Sequence, residues 1–344
     1  VFRVTRRQLE AQGLSGGVAQ SIESGCTFED AAAQQSRMRE TGTELISLHD
    51  PRYPSRLREI YDPPVVLFGK GRLELLDTLG IAIVGTRRPS AYGVAATERL
   101  VADLAKAQLT IISGMARGID TAAHKSALEA GGNTIAVFGC GVDMVYPAEN
   151  RKLAATISER GLVLSEFPMG APPYPQNFPI RNRIVSGMSA GVLVVEGAQY
   201  SGSAITARLA MDQQREVFAV PGNITNKMSW GPNLLIKQGA KLVQDWNDVV
   251  TELQPEDRRR LIVEGQRALG IEPVEPTAEE PETPQTKLAK DILTRLTVDQ
   301  PMHLDSLIET FDSCSSSELI GALFELEMLG MARQLPGKNF VKVW

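Results

Sequence analysis

Cysteine and histidine are scarce in this chain of 344 residues, at three apiece. Cys26, Cys140 and Cys314 lie far apart, as do His49, His124 and His303, and none of them has metal-ligand spacing. That excludes a zinc-built module or a disulfide framework and sets an expectation of reduced thiols in a cytoplasmic protein. Long apolar runs are missing too. Each is of strand length and cut by glycine or charge, so neither a membrane span nor a secretory signal can be drawn. No Gly-x-x-x-x-Gly-Lys-[Ser/Thr] occurs, and the turn at Gly85 lacks dinucleotide-binding spacing, which disfavours ATP hydrolysis and NAD chemistry. No nucleophile sits beside an obvious base, so we expect no catalytic residue, no metal and no cofactor. The first residue is Val1 rather than Met, so an upstream start is expected.

What is present is an ordinary globular composition, 43% hydrophobic and 22% charged, in a chain long enough for more than one domain. A net charge of −5 argues against a uniformly cationic surface, but nucleic-acid binding depends on where the cations lie. In residues 1–77, short helical patterns are separated by Gly13, Gly16, Gly17, Gly25 and Gly42 and followed by proline-bounded turns and the strand-like Val65–Phe68. This reads as a small helical domain with a connector. Its glycine-rich connections are also compatible with DNA-backbone contact of the helix-hairpin-helix kind, though packing is the preferred reading.

Residues 78–254 alternate strand-length apolar runs with amphipathic helical stretches, the pattern of a doubly wound, mainly parallel α/β sheet. The expected strands are Ile81–Gly85, Thr110–Ser113, Thr134–Phe138, Leu162–Ser165, Val192–Glu196, Val217–Val220 and Lys241–Val243. Ala91–Ala107 and Gly202–Gln213 are expected helices. Residues 255–286, rich in proline and glutamate, read as an acidic tether. In residues 287–344, helices at Lys287–Leu296, Leu304–Phe311 and Ser316–Leu329 precede a hairpin across Pro336-Gly337-Lys338, the order of a winged helix. The third helix carries Glu318, Glu325 and Glu327 and no arginine, which favours protein contact over duplex reading.

Parallel strands deliver their carboxyl ends to one edge, and the loops there are rich in glycine and arginine. Gly85-Thr86-Arg87-Arg88 supplies close backbone approach, a hydroxyl and guanidinium forks for phosphate. Ser113-Gly114-Met115-Ala116-Arg117-Gly118 repeats the design one strand on. Asp120 reads as a helix cap, His124 as a helix residue rather than a base, and Cys140 as a packing residue. A proline-rich loop delivers Phe178 and Arg181-Asn182-Arg183 to a helix start, joining cations to a flat surface for an unstacked base. Ser201-Gly202-Ser203 opens another helix with outward amides.

These segments, in this order and with Tyr146-Pro147, Asn150 and Ser165-Glu166 between them, resemble the bacterial DNA-processing protein DprA (Smf) family over nearly the whole chain. The resemblance implies an extended Rossmann-like core that binds single-stranded DNA, forms a homodimer and helps load the recombinase RecA in natural transformation. It also implies a SAM-like N-terminal domain and a C-terminal winged helix. The family fold is related to nucleoside-monophosphate phosphoribohydrolases, whose Pro-Gly-Gly-x-Gly-Thr-x-x-Glu loop is replaced here by Gly197–Thr206 without the glutamate. Glu166 or Glu196 would have to substitute, so hydrolysis is the alternative and a non-enzymatic binder the main expectation. If Arg87, Arg117, Arg181 and Arg183 each neutralise one phosphate, the slope of log affinity against log salt is about −3.

Overall fold

Aliphatic runs without polar interruption form strands that need cover on both faces, and such runs dominate the middle of this chain. The computed structural model describes residues 4–24, 28–268, 287–298, 300–311, 314–335 and 337–343. It divides into two compact units, residues 1–272 and 273–344.

The first unit holds a nine-stranded sheet made of β1 (Thr43–Ser47), β2 (Val66–Gly71), β3 (Gly80–Val84), β4 (Thr110–Ser113), β5 (Thr134–Val137), β6 (Leu162–Ser165), β7 (Gly191–Val194), β8 (Glu216–Ala219) and β9 (Lys241–Leu242). Their order is β1-β2-β6-β5-β4-β3-β7-β8-β9. β3 to β7 are buried at every position. Side chains alternate between two cores: Ala82, Val84, Ile112, Val192 and Val194 face one, while Ile81, Ile83, Ile111 and Leu193 face the other. The helices Asn177–Gly187 and Gly202–Asp212 cover the first face through Ile184, Val185, Ala207 and Ala210. Ala91–Lys106 covers the second through Leu100, Val101 and Leu104.

Two expectations change at the boundaries of this unit. In the region 1–77 the strand-like run at Val65–Phe68 is β2, but it is joined by an unexpected strand, β1, and the two pair antiparallel with one another while β2 pairs antiparallel with β6, extending the parallel sheet. The tether does not begin at residue 255, because Pro255–Ala268 is a helix. Leu261 joins the second core and Arg56 pairs with Asp257, so tertiary partners hold a segment that composition alone assigns to solvent. The remainder of the expected tether, 269–286, and Cys26 lie outside the described residues.

In the second unit, helices Lys287–Arg295, Leu304–Thr310 and Ser316–Met328 pack with β10 (Met302–His303), β11 (Ala332–Leu335) and β12 (Asn339–Lys342), sheet order β10-β12-β11. This is the expected winged helix, closed around Ile292, Leu307, Leu323 and Leu326. Ser315 caps the third helix: its hydroxyl accepts from the Glu318 amide while the Glu318 carboxylate accepts from the Ser315 amide. Pro336 of the expected turn is outside the described residues.

Candidate functional site

In an open parallel sheet, the crevice lies where neighbouring strands lead their connections to opposite sides. Here that point is between β3 and β7, since the chain leaves β3 toward β4 and β5 and leaves β7 toward β8. A cleft of about 480 Å³ opens at their carboxyl ends. Gly85, Thr86 and Arg87 line it from the loop after β3, Ser201 from the loop after β7, and Gly202 and Ser203 from the start of the helix Gly202–Asp212. Phe178, Arg181 and Asn182 line it from the helix Asn177–Gly187.

Arg87 is exposed and has no ion-pair partner among the described residues. Its guanidinium carbon lies 5.9 Å from the centroid of the Phe178 ring, a cation–π arrangement that holds the fork over the cleft. Phe178 in turn stacks at a tilt on Tyr146, with centroids 5.4 Å apart. Arg181 forms part of the floor. It is 5% exposed, its Nη2 donates to the Gly114 carbonyl at 2.9 Å, and its Nε has no partner among the described residues. Burial lowers the pKa of this guanidinium, and Asp120 nearby opposes that shift. Gly114 makes the arrangement possible, because a Cβ there would overlap the Arg181 guanidinium.

The neighbouring loop is tied down by its own groups. Asp120 Oδ2 accepts from the amides of Gly114 at 3.1 Å and Ala116 at 3.2 Å, while Asn150 Nδ2 donates to the Met115 carbonyl at 3.0 Å. Asp120 is therefore not the expected cap of its own helix. The cap position is Gly118, and the carboxylate pins the preceding loop instead. Burial raises the Asp120 pKa, opposed first by Arg181 and then by those amides.

Several expected contacts with phosphate are already committed inside the protein. Ser113 is fully buried and its hydroxyl donates to the Ile83 carbonyl at 2.6 Å. The Gly114 amide is spent on Asp120. Arg183 lies outside the cleft lining, because Glu166 holds its Nη1 and Nη2 at 2.8 and 2.6 Å and both side chains are 15% exposed. Arg88 and Arg117 are not committed in this way but lie outside the cleft: Arg88 is exposed, and Arg117 meets Glu149 at 2.8 Å in a solvent-exposed pair beside it. The Thr86 amide donates to the Glu196 carbonyl, which leaves its hydroxyl side toward the loop. Ser201 caps the helix Gly202–Asp212, accepting from the Ala204 amide, and shares a hydrogen bond with buried Ser203. Asn182 reaches the Gly202 carbonyl at 3.5 Å.

The carboxylates considered for hydrolysis are similarly occupied. Glu166 is bound to Arg183, and buried Glu196 accepts from the Ser90 amide and hydroxyl at the start of Ala91–Lys106. Neither lines the cleft. His124 is fully buried, with Nδ1 against the Thr134 hydroxyl at 2.7 Å, and burial lowers its pKa to about 3. Cys140 is a buried packing residue whose pKa burial raises to about 11.

Tyr146 and Ile205 also line the cleft, and the sequence reading passed them over. Tyr146 entered the sequence reading only with Pro147, which follows it through a cis peptide bond, as one of the segments carrying the resemblance. Its aromatic type, beside Phe178 in space but not in sequence, was the available signal. A larger cavity of about 710 Å³ lies at the amino edge of the sheet. Of the four arginines that line it, Arg56 pairs with Asp257, Arg215 with Glu59 and Arg260 with Asp77, which makes it largely a salt-bridged seam.

Comparison with known proteins identifies the family. A family model described as DNA recombination-mediator protein A matches residues 44–254, and one described as the DprA winged helix domain matches residues 276–338. DNA processing protein DprA of Bacillus subtilis is 41% identical over 251 residues, spanning 73% of this chain and 82% of that protein. Its namesake from Streptococcus pneumoniae is 47% identical over 208 residues, 60% of this chain and 73% of the relative. A solved structure of the Streptococcus pneumoniae protein superimposes with a TM-score of 0.62 at 42% identity, covering 70% of this chain and 87% of that one. DNA processing protein A of Helicobacter pylori, solved in work on its single-stranded DNA binding mode, gives a TM-score of 0.56 at 32% identity, covering 62% and 97%. On the extent of the family match and the identity of these relatives, the chain belongs to the DNA recombination-mediator protein A family.

Proposed function

We propose that this protein binds single-stranded DNA without regard to base identity along the carboxyl edge of its sheet. In this reading it protects incoming strands and promotes RecA loading in natural transformation and recombination, as a cytoplasmic homodimer with no catalysis of its own. The observation that carries the binding step is Arg87: an exposed guanidinium, free of internal carboxylates, held over an aromatic ring at the switch point of the sheet. Arg87 and Arg181 supply charge, the amino terminus of Gly202–Asp212 supplies amides, and Phe178 supplies a face for an unstacked base. Each of these contacts is blind to base type. The binding mode of the Helicobacter pylori relative supports the same ligand.

The test is fluorescence anisotropy with labelled strands of differing composition and with a duplex of the same length. Single strands of every composition should bind with similar affinity and more tightly than the duplex. Equal or tighter duplex binding would refute the proposal.

A further inference from the structure

Beside the cleft lies a second, much smaller compartment of about 40 Å³. Arg87, Arg117 and Arg181 line it, with Tyr146, Pro147 and Phe178 among its other walls. Arg87 and Arg181 are shared with the cleft, whereas Arg117 belongs to the compartment alone. Three guanidiniums around so small a space repel one another unless an anion joins them. Internal carboxylates do not fill that role. Glu149 meets Arg117 in a pair whose side chains are both more than half exposed, where water screens the attraction. Asp120 spends Oδ2 on two backbone amides, and Arg181 is left 5% exposed with an unpartnered Nε.

Size narrows the choice of anion. The compartment has room for about three water positions, the scale of the oxygens of one phosphate. A phosphodiester within a strand carries a single negative charge and a nucleoside on each side, one of which the adjoining cleft of about 480 Å³ can take. A phosphomonoester has a nucleoside on one side only and carries up to two negative charges near neutral pH.

We propose that this compartment seats a phosphomonoester, namely the terminal phosphate of a DNA strand whose next nucleotides lie in the cleft. The inference rests on the single-strand reading above. It makes the protein a reader of strand ends as well as a binder of strands.

The test uses the whole chain and short thymidine strands carrying a 5′ phosphate, a 3′ phosphate or hydroxyls at both ends, with thymidine monophosphate as competitor. At least one phosphorylated strand should bind roughly tenfold more tightly than the hydroxyl-ended strand, the gain of a charge-assisted contact. Arg117→Gln should erase that gain and leave hydroxyl-ended binding unchanged, and Arg117→Lys should restore part of it. Equal binding of all three strands would overturn the seat while the single-strand reading stands. Failure of every strand to bind would overturn both. A gain that survives Arg117→Gln would assign end preference to the cleft and overturn the seat. Thymidine monophosphate competing as well as a phosphorylated strand would overturn the strand end as the source of the phosphate.

Discussion

Arg87→Ala separates the electrostatic grip from the fold. The wild-type guanidinium is exposed, lacks an ion-pair partner among the described residues and touches the site through the Phe178 ring. Its removal strands no buried charge and opens no cavity, so the unfolding free energy should stay within about 0.5 kcal/mol of wild type. In the complex, one charge-assisted contact is lost, about 1.5–3 kcal/mol, or roughly ten- to a hundredfold in affinity. Charge counting gives a second readout. Arg87 and Arg181 are the cationic side chains lining the cleft, so the slope of log affinity against log salt for a hydroxyl-ended strand should be about −1.4. That is shallower than the −3 or so expected for four arginines, because Arg117 and Arg183 lie outside the cleft. The variant should fall to about −0.7. Phe178→Ala is the companion: loss of a stacking face costs about 1–3 kcal/mol while the slope is kept, since the ring carries no charge. Anisotropy titrations across a salt series read both quantities. An Arg87→Ala protein that binds within a factor of about two of wild type, or keeps its slope, would refute the reasoning.

Arg183→Met should behave in the opposite way, leaving hydroxyl-ended strands bound while lowering stability by about 3 kcal/mol in urea denaturation, because Glu166 is left largely buried without its partner. A loss of binding with unchanged stability would return Arg183 to the DNA site. His124 predicts a pH effect. Its pKa is about 3 in the fold, against about 6.5 in an unfolded chain, so between these values the unfolded state binds the extra proton. Stability should therefore fall with acidification across that window, by about 1.4 kcal/mol per pH unit from this residue, and His124→Gln should flatten that part of the curve. An identical pH profile in the variant would contradict the assignment.

The parallel core was legible because β3 to β7 are covered on both faces, and unbroken aliphatic runs announce that burial locally. β1 was not, since Thr43-Glu44-Leu45-Ile46-Ser47 exposes Glu44 and Leu45 at the edge and reads as neither a buried nor an alternating strand. The helix Pro255–Ala268 was hidden for a related reason: its three consecutive arginines look solvated until Asp257 meets Arg56 and Leu261 reaches the core. At the site, chain order pointed to Arg87, Phe178, Arg181 and Gly202 as residues at strand ends and helix starts. It had no means of ranking competitors. Glu166 captures Arg183 from another loop, and the Ser113 hydroxyl finds the Ile83 carbonyl across the sheet. Whether a donor faces ligand or neighbour is a tertiary fact.

A chain of net charge −5 concentrates positive potential at one edge by leaving a few charges uncompensated. Arg56, Arg183 and Arg215 are balanced by carboxylates, and they lie outside the cleft. Arg181 shows how the exception is built. Asp120 is close enough to favour the guanidinium's charge, yet its Oδ2 is engaged by the Gly114 and Ala116 amides, so no ion pair closes over the guanidinium. The absent side chain of Gly114 gives the guanidinium its space, and the Gly114 carbonyl holds Nη2 in place. Burying a cation with an unsatisfied Nε destabilises the free protein. In the proposed complex, a phosphate held by the Arg181 guanidinium would offset part of the cost of burying that charge, returning it as affinity for a polyanion.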